Sequence, residues 1–93
     1  MSTPNFPLQS HPRVLSRKIR ELTVLLNLQT KQYFSFDAVG SRMWSVAIDA
    51  PSFEEGIRHL LDEYEVAEPQ LRRDFEQFLA LCLEQGLLHS PDS

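Results

Sequence analysis

The sequence predicts an α+β domain in which a three-stranded antiparallel sheet is followed by three helices. Three short runs rich in apolar residues, at 14–19, 22–28 and 32–36, stand together in the first half of the chain. Three longer segments with helical apolar periodicity follow them. A chain of 93 residues supports one compact domain with a modest core.

The strands follow from these runs and the residues between them. Residues 14–19 are predicted to form the first strand, which is polar because it contains Arg17 and Lys18. Charged residues commonly protect an exposed sheet edge from unwanted pairing, so an edge position is expected for this strand. Residues 22–28 and 32–36 are joined by a short polar link, which predicts a hairpin whose register the turn residues do not fix. In the last strand, alternation places two pairs of side chains on opposite faces, Phe34 with Phe36 toward the core and Tyr33 with Ser35 away from it.

The helices have recognisable starts. Asp37 is suited to cap the first helix, and Gly40 in its first turn predicts close packing against another backbone. Ser52 and Glu55 form an S-x-x-E capping box at the start of the second helix. The third helix begins near Pro69 and ends at Gly86. Its predicted buried stripe consists of Leu71, Phe75, Phe78, Leu79 and Cys82.

Two regions are predicted along the chain. Residues 1–10 contain two prolines and no sustained periodicity, which predicts a flexible N-terminal arm. Residues 11–90 form the folded domain. Strand exchange at an exposed edge leaves the oligomeric state open between a monomer and a weak dimer.

Composition favours a cytoplasmic protein. The chain is 42% hydrophobic and 24% charged, as is usual for a globular protein. Cys82 is its single cysteine, so no intramolecular disulfide can form. No apolar run approaches the roughly 20 residues that span a bilayer, and we expect no membrane association. The net charge of −4 argues against a nucleic-acid partner, although a local basic face stays possible.

The sequence offers little for catalysis. The three histidines, at positions 11, 59 and 89, lack the spacing of a metal site. Cys82 lies on an apolar stripe, where cysteine usually behaves as a small hydrophobe. Nucleotide-binding and nucleophile-elbow motifs are missing from the sequence. We therefore expect neither an enzyme nor a bound metal or cofactor.

The run 32–36 is instead suited to binding an extended peptide. It contains no charge and no proline, whereas the first strand carries Arg17 and Lys18. An unguarded edge can accept another strand through main-chain hydrogen bonds. Coverage of this edge by the helices or by a dimer partner is the open alternative.

Three segments, YFSFDAVGSRMW, SFEEGIRHLLDEYEV and LRRDFEQFLALCLEQGLL, together resemble the PqqD-like family. These domains recognise the leader peptides of ribosomally made natural products and are also called RiPP recognition elements. The resemblance implies a winged-helix-like domain in which a leader adds as a strand beside the third strand, in a groove against the third helix. Ala67 departs from the pattern, since relatives often carry a polar helix cap there.

The chain is most similar to the stand-alone leader-binding subunit of lasso-peptide biosynthesis. Such a subunit works beside a separate leader peptidase and a cyclase. Two alternatives stay open, a PqqD-type peptide chaperone for a radical-enzyme maturation step and a winged-helix DNA-binding regulator.

The predicted peptide-binding residues lie on the third strand and the third helix. On the strand they are Gln32, Tyr33, Phe34, Ser35 and Phe36. On the helix they are Arg72, Glu76, Leu79 and Leu83, which share one flank, together with Arg73. Helix packing is the alternative for Leu83, and a solvated surface position is the alternative for each charged residue.

Overall fold

The computed structural model describes residues 6–90 and confirms the predicted α+β architecture. In chain order the elements are β1 (Gln9–Ser10), β2 (Val14–Ile19), β3 (Leu22–Asn27), β4 (Gln32–Phe36), α1 (Ala38–Asp49), α2 (Phe53–Glu63), α3 (Glu68–Glu84) and β5 (Leu88–His89). The three predicted strands correspond to β2, β3 and β4. The two-residue strands β1 and β5 were not predicted.

The main sheet has the order β2-β3-β4, with both pairs antiparallel. Its register places Leu26 opposite Tyr33 and Leu25 opposite Phe34. The turn between β3 and β4 is fixed by Asn27, whose side-chain oxygen accepts hydrogen bonds from the backbone N–H groups of the next turn. Lys31 closes that turn with φ at 65°, in the left-handed region. The hairpin register that the sequence left open is thus set by a local side-chain contact.

The helices cover one face of this sheet and enclose the core. Leu25 of the central strand is fully buried, and so is Phe75 of α3. Trp44 of α1 is also buried, with 6% of its surface exposed. The opposite face of the sheet has no helix against it within residues 6–90, which leaves that side of β2, β3 and β4 to solvent.

The helix ends largely follow the predicted caps. The Asp37 carboxylate accepts from Gly40 N–H at 2.9 Å, and the Ser52 hydroxyl accepts from Glu55 N–H at 3.1 Å. The carboxylate of Glu55 pairs with Arg58, so only the serine half of the predicted capping box is observed. Ala67 caps α3 without a side-chain hydrogen bond.

Gly40 allows a close approach between α1 and the end of β4. A β-carbon at this position would stand 2.9 Å from the β-carbon of Phe36. The sequence predicted a neighbouring backbone at Gly40, and the neighbour is the β-carbon of the Phe36 side chain. The approach fixes Phe36 against the first turn of α1.

Residues 6–10 pack on the domain, whereas their sequence predicted a flexible arm. Leu8 is 1% exposed, and its N–H donates to the carbonyl of Ala47 at 3.0 Å. The Gln9–Ser10 strand pairs with Leu88–His89 near the other end of the chain. The remaining residues of the predicted arm, 1–5, lie outside the described residues.

Candidate peptide-binding site

The strand β4 forms one edge of the main sheet. Every second residue of an antiparallel strand directs its N–H and C=O to the same side, so one alternate set of β4 backbone groups faces β3 and the other faces outward. The β4 sequence, QYFSF, contains no charged residue and no proline. The opposite edge, β2, exposes Arg17 and Lys18. The two edges therefore differ in how readily they accept another strand.

The β4 side chains divide between the two faces of the sheet. Tyr33 is 73% exposed on the face away from the helices, and Ser35 lies beside it. Phe34 and Phe36 are half-buried and pack against the core. Gln32 is exposed at the start of the strand. The inward side of this edge is thus apolar, and it is incompletely covered.

The helix α3 lies next to this inward side. The rings of Phe36 and Phe78 meet edge-to-face with their centroids 4.9 Å apart. Beside the start of β4, the side-chain amide of Asn27, the β3 residue that pairs with Gln32, donates to the carbonyl of Gln85 at 3.2 Å. Leu81 is one helical turn from both Phe78 and Gln85, and it is 44% exposed. Phe78, Leu81 and Gln85 therefore form the flank of α3 that faces β4.

The predicted α3 residues lie largely on the other flank. Arg72 pairs with Glu54 of α2 and with Glu68, and its guanidinium carbon lies 5.9 Å from the centre of the Phe53 ring. Glu76 and Leu83 follow Arg72 at helical spacing, so they share its side of the helix toward α2. The structure thus turns this flank toward α2 rather than β4, because a helical wheel has two flanks beside a buried stripe and does not show which neighbour each one meets.

Two further predicted residues of α3 are also removed from the β4 edge. Leu79 is 1% exposed and belongs to the core. Arg73 is exposed, and its guanidinium donates to the Gln70 side chain at 3.1 Å. Of the ten residues predicted to bind peptide, the five on β4 lie together at the sheet edge. The five on α3 do not line the side that faces them.

Arginine and glutamate side chains on the three helices form salt bridges with one another. The hydrogen bond from Arg72 lowers the pKa of the Glu54 carboxyl, and the hydrogen bond from Arg42 lowers the pKa of the Glu63 carboxyl. The same contacts raise the pKa of each arginine. These arginines already have carboxylate partners on the α2 side of the domain.

Within residues 6–90, neither the single cysteine nor a cluster of metal-binding side chains supplies a reactive centre. Burial raises the pKa of the Cys82 thiol to about 12, which keeps it protonated and unreactive. Residues 6–90 contain no group of three or more His, Cys, Asp or Glu side chains placed to hold a metal ion. In the same part of the chain, no helix is both long and apolar enough to cross a membrane. The feature that stands out is the apolar edge.

The chain is similar to proteins of a known family. The family model described as coenzyme PQQ synthesis protein D (PqqD) matches residues 23–88. No curated protein sequence matches the chain.

Two solved structures are similar to it. The first, TbiB1 in complex with the TbiA(beta) leader peptide, has 38% sequence identity and a TM-score of 0.80, over 87% of this chain and 94% of that one. The second is a lasso peptide synthetase B1 complexed with the leader peptide. It has 19% identity and a TM-score of 0.80, over 89% of this chain and 98% of that one, and it supports the fold alone. The family match over 23–88 and the 38% identity to a solved relative confirm the resemblance drawn from the sequence, and this chain belongs to the PqqD family.

Proposed function

We propose that this chain binds the leader segment of a ribosomally made precursor peptide and delivers it to a leader peptidase and a cyclase in lasso-peptide biosynthesis. The observation that carries the proposal is the uncharged edge strand β4 beside the partly exposed apolar flank of α3. The 38% identical relative, whose structure is described as a complex with a leader peptide, supports the assignment.

Binding would occur by strand addition. The outward N–H and C=O groups of β4 supply main-chain hydrogen bonds, which give affinity with little dependence on peptide sequence. Alternate peptide side chains would then point inward, toward Phe34, Phe36, Phe78 and Leu81. Because this surface is apolar, we expect apolar or aromatic residues at the inward positions of the leader.

The proposed role is binding rather than catalysis. The buried Cys82 thiol is unsuited to act as a nucleophile, and the function needs no metal or cofactor. A reducing compartment such as the cytoplasm suits a chain with one cysteine. We propose that the chain acts as a monomer, because a second copy paired on β4 would occupy the edge that the leader needs.

The PqqD-type chaperone is the second candidate, since the matching family model is that of a PQQ synthesis protein. Both candidates use the same edge and differ in the precursor they bind. The DNA-binding regulator has weaker support. In such a regulator the third helix, α3, would read the DNA, but it carries four carboxylates and two arginines. Arg72 is already paired with Glu54 and Glu68.

Fluorescence anisotropy with a labelled synthetic leader tests the proposal. The leader comes from a precursor encoded beside this protein, and the precursor peptide of PQQ synthesis serves as the competing ligand. We expect saturable binding of the lasso-type leader and weak binding of the other. The reverse preference would favour the chaperone role, and binding of neither would refute peptide recognition.

Backbone N-methylation of the leader tests strand addition separately. Methylating alternate residues removes N–H donors from one edge of the bound strand while side chains are unchanged. A lost main-chain hydrogen bond costs about 1 kcal/mol, or roughly fivefold in Kd. We expect one alternate set of methylations to weaken binding and the other set to be tolerated. Equal effects at every position would argue against pairing with β4.

A further inference from the structure

The side of the main sheet that faces away from the helices carries an exposed apolar surface. Strand alternation brings Leu15, Arg17, Ile19, Val24, Leu26 and Tyr33 to this side, and we call it the outer sheet face. These residues line a shallow depression of about 520 Å³. Leu15 is 58% exposed and Ile19 is 51% exposed. Large apolar side chains gathered on one exposed surface are typical of an interaction site.

Charge is distributed unevenly along the chain. Residues 13–31, which include β2 and β3, carry five basic residues and one acidic residue, for a net charge of +4. All other residues together carry four basic and twelve acidic residues, for a net charge of −8. The outer sheet face therefore lies largely on the basic segment, residues 13–31, of an acidic protein.

Within residues 6–90, the basic residues of segment 13–31 form no salt bridge with an acidic residue. The salt bridges in the described part of the chain involve Arg42, Arg58 and Arg72, all on the helices. Arg17 stands within the outer sheet face, Arg20 stands at one end of it, and Lys31 stands at the other. Their positive charge is available to a ligand that brings carboxylates.

We propose that the outer sheet face docks an amphipathic helix of a partner protein, one whose apolar stripe is flanked by Asp and Glu. Three strands spaced by about 4.8 Å give a surface about 10 Å wide, which matches the diameter of a helix. The apolar stripe fills the depression, and the flanking carboxylates meet Arg17 and Arg20. This inference concerns the face of the sheet rather than its β4 edge, although Tyr33 belongs to both, and it does not depend on leader binding.

Two other occupants fit less well. Two copies of this chain packed through their outer sheet faces would bring their basic residues together, which is unfavourable. The helices of a second copy bury their apolar stripes in their own core and could not fill the depression. An anionic bilayer would attract the same basic residues, but the flat bilayer surface would not fill the depression on the outer sheet face.

A pair of synthetic helical peptides tests the charge requirement. Both peptides carry the same leucine stripe, and the flanks are glutamate in one and lysine in the other. The ¹⁵N-labelled protein is titrated with each while backbone amide shifts are followed. We expect shifts at Leu15, Arg17 and Val24, with the glutamate peptide binding at least about tenfold more tightly. Equal affinities, or shifts confined to the helices, would overturn the proposal.

Variants with substitutions at exposed positions test the surface. Ile19→Glu should abolish binding of the glutamate peptide, and Arg17→Glu should reverse the preference between the two peptides. Val39→Glu is the matched control, because Val39 is 43% exposed on α1. Anisotropy with the leader, run on the same variants, separates failure of this surface from failure of the proposed function.

Two solution measurements address the other occupants. Sedimentation velocity detects self-association, and co-sedimentation with phosphatidylcholine and phosphatidylglycerol vesicles detects membrane binding. We expect a monomer that stays in the supernatant. If the protein dimerises or binds vesicles, and Ile19→Glu abolishes that behaviour, the outer sheet face binds a second copy or a membrane. Either result would refute the proposal that it docks a partner helix.

Discussion

Replacing Leu81 by alanine tests which flank of α3 forms the wall of the peptide groove. Leu81 is one turn from Phe78, whose ring meets Phe36 of the edge strand. The substitution removes apolar surface from this wall and keeps a good helix former in place. We expect weaker leader binding without loss of the fold.

The size of the effect follows from exposure. Full burial of a leucine side chain stabilises by roughly 2 kcal/mol, so covering the 44% of Leu81 that is exposed is worth about 1 kcal/mol. This corresponds to about a fivefold increase in Kd for the leader. Leu81→Glu should weaken binding further, because the bound peptide would also remove water from a carboxylate.

The assay is fluorescence anisotropy with two control variants. Leu15→Ala truncates another exposed leucine on β2, two strands away from the β4 edge, and should leave the Kd unchanged. Glu76→Ala changes the flank of α3 that carries Arg72 and should also have no effect. An unchanged Kd for Leu81→Ala, together with weaker binding by Glu76→Ala, would refute the assignment and restore the flank predicted from sequence.

Three further predictions concern stability and reactivity. Gly56→Ala should lower the free energy of unfolding by about 1–2 kcal/mol in urea titrations, because overpacking against Val46, 2.9 Å from the new β-carbon, outweighs the gain in helix propensity; unchanged stability would show that Val46 can move aside. Cys82 should resist a thiol reagent at pH 8 and react after unfolding, since burial raises its pKa to about 12; rapid reaction of the folded protein would contradict the buried placement. Glu63 has a lowered pKa when folded, so its stabilising effect is complete above the ordinary value of 4.5 and is lost as the pH falls through the lower folded value. The Glu63→Gln variant should therefore lose less Tm than the native protein on acidification below pH 4.5. Parallel curves of Tm against pH for the two proteins would exclude a contribution of the Glu63 carboxylate to stability.

The main elements were predictable because their signals are local. Apolar alternation identified β4, and the Asp37 and Ser52 caps identified the starts of α1 and α2. Gly86 ends α3 as expected, with φ at 71°. Each of these features depends on residues within one or two turns of the chain, so a single sequence contains them.

The flank of α3 that faces β4 was not predictable in the same way. Leu81 and Leu83 lie on opposite flanks of one buried stripe, and both are apolar and only partly covered. The contact that distinguishes the flanks joins Arg72 to Glu54, which is 18 positions earlier in the chain. Periodicity carries no information about such a pairing. Leu81, an apolar residue off the predicted stripe, was the available signal.

The N-terminal residues show the same dependence on distant partners. Leu8 is buried because the chain around it pairs with Leu88–His89 and bonds to Ala47. A two-residue strand is too short to show alternation, and nearby prolines suggest a loop. Long-range pairing therefore ordered a segment whose own sequence favours no structure.

Phe36 connects the proposed binding edge to the rest of the domain. Its ring contacts Phe78 of α3 and lies 6.1 Å from that of Trp44 on α1, centre to centre. Its carbonyl accepts from the Ser41 hydroxyl at 3.3 Å, and Gly40 packs against its β-carbon. Two helices thus hold Phe36, the floor of the proposed groove, in place without a bound peptide. Since a preformed site loses little conformational entropy on binding, the ordering cost of the proposed complex falls mainly on the leader. Restricting the free leader to an extended conformation should then improve affinity more than any further stiffening of β4.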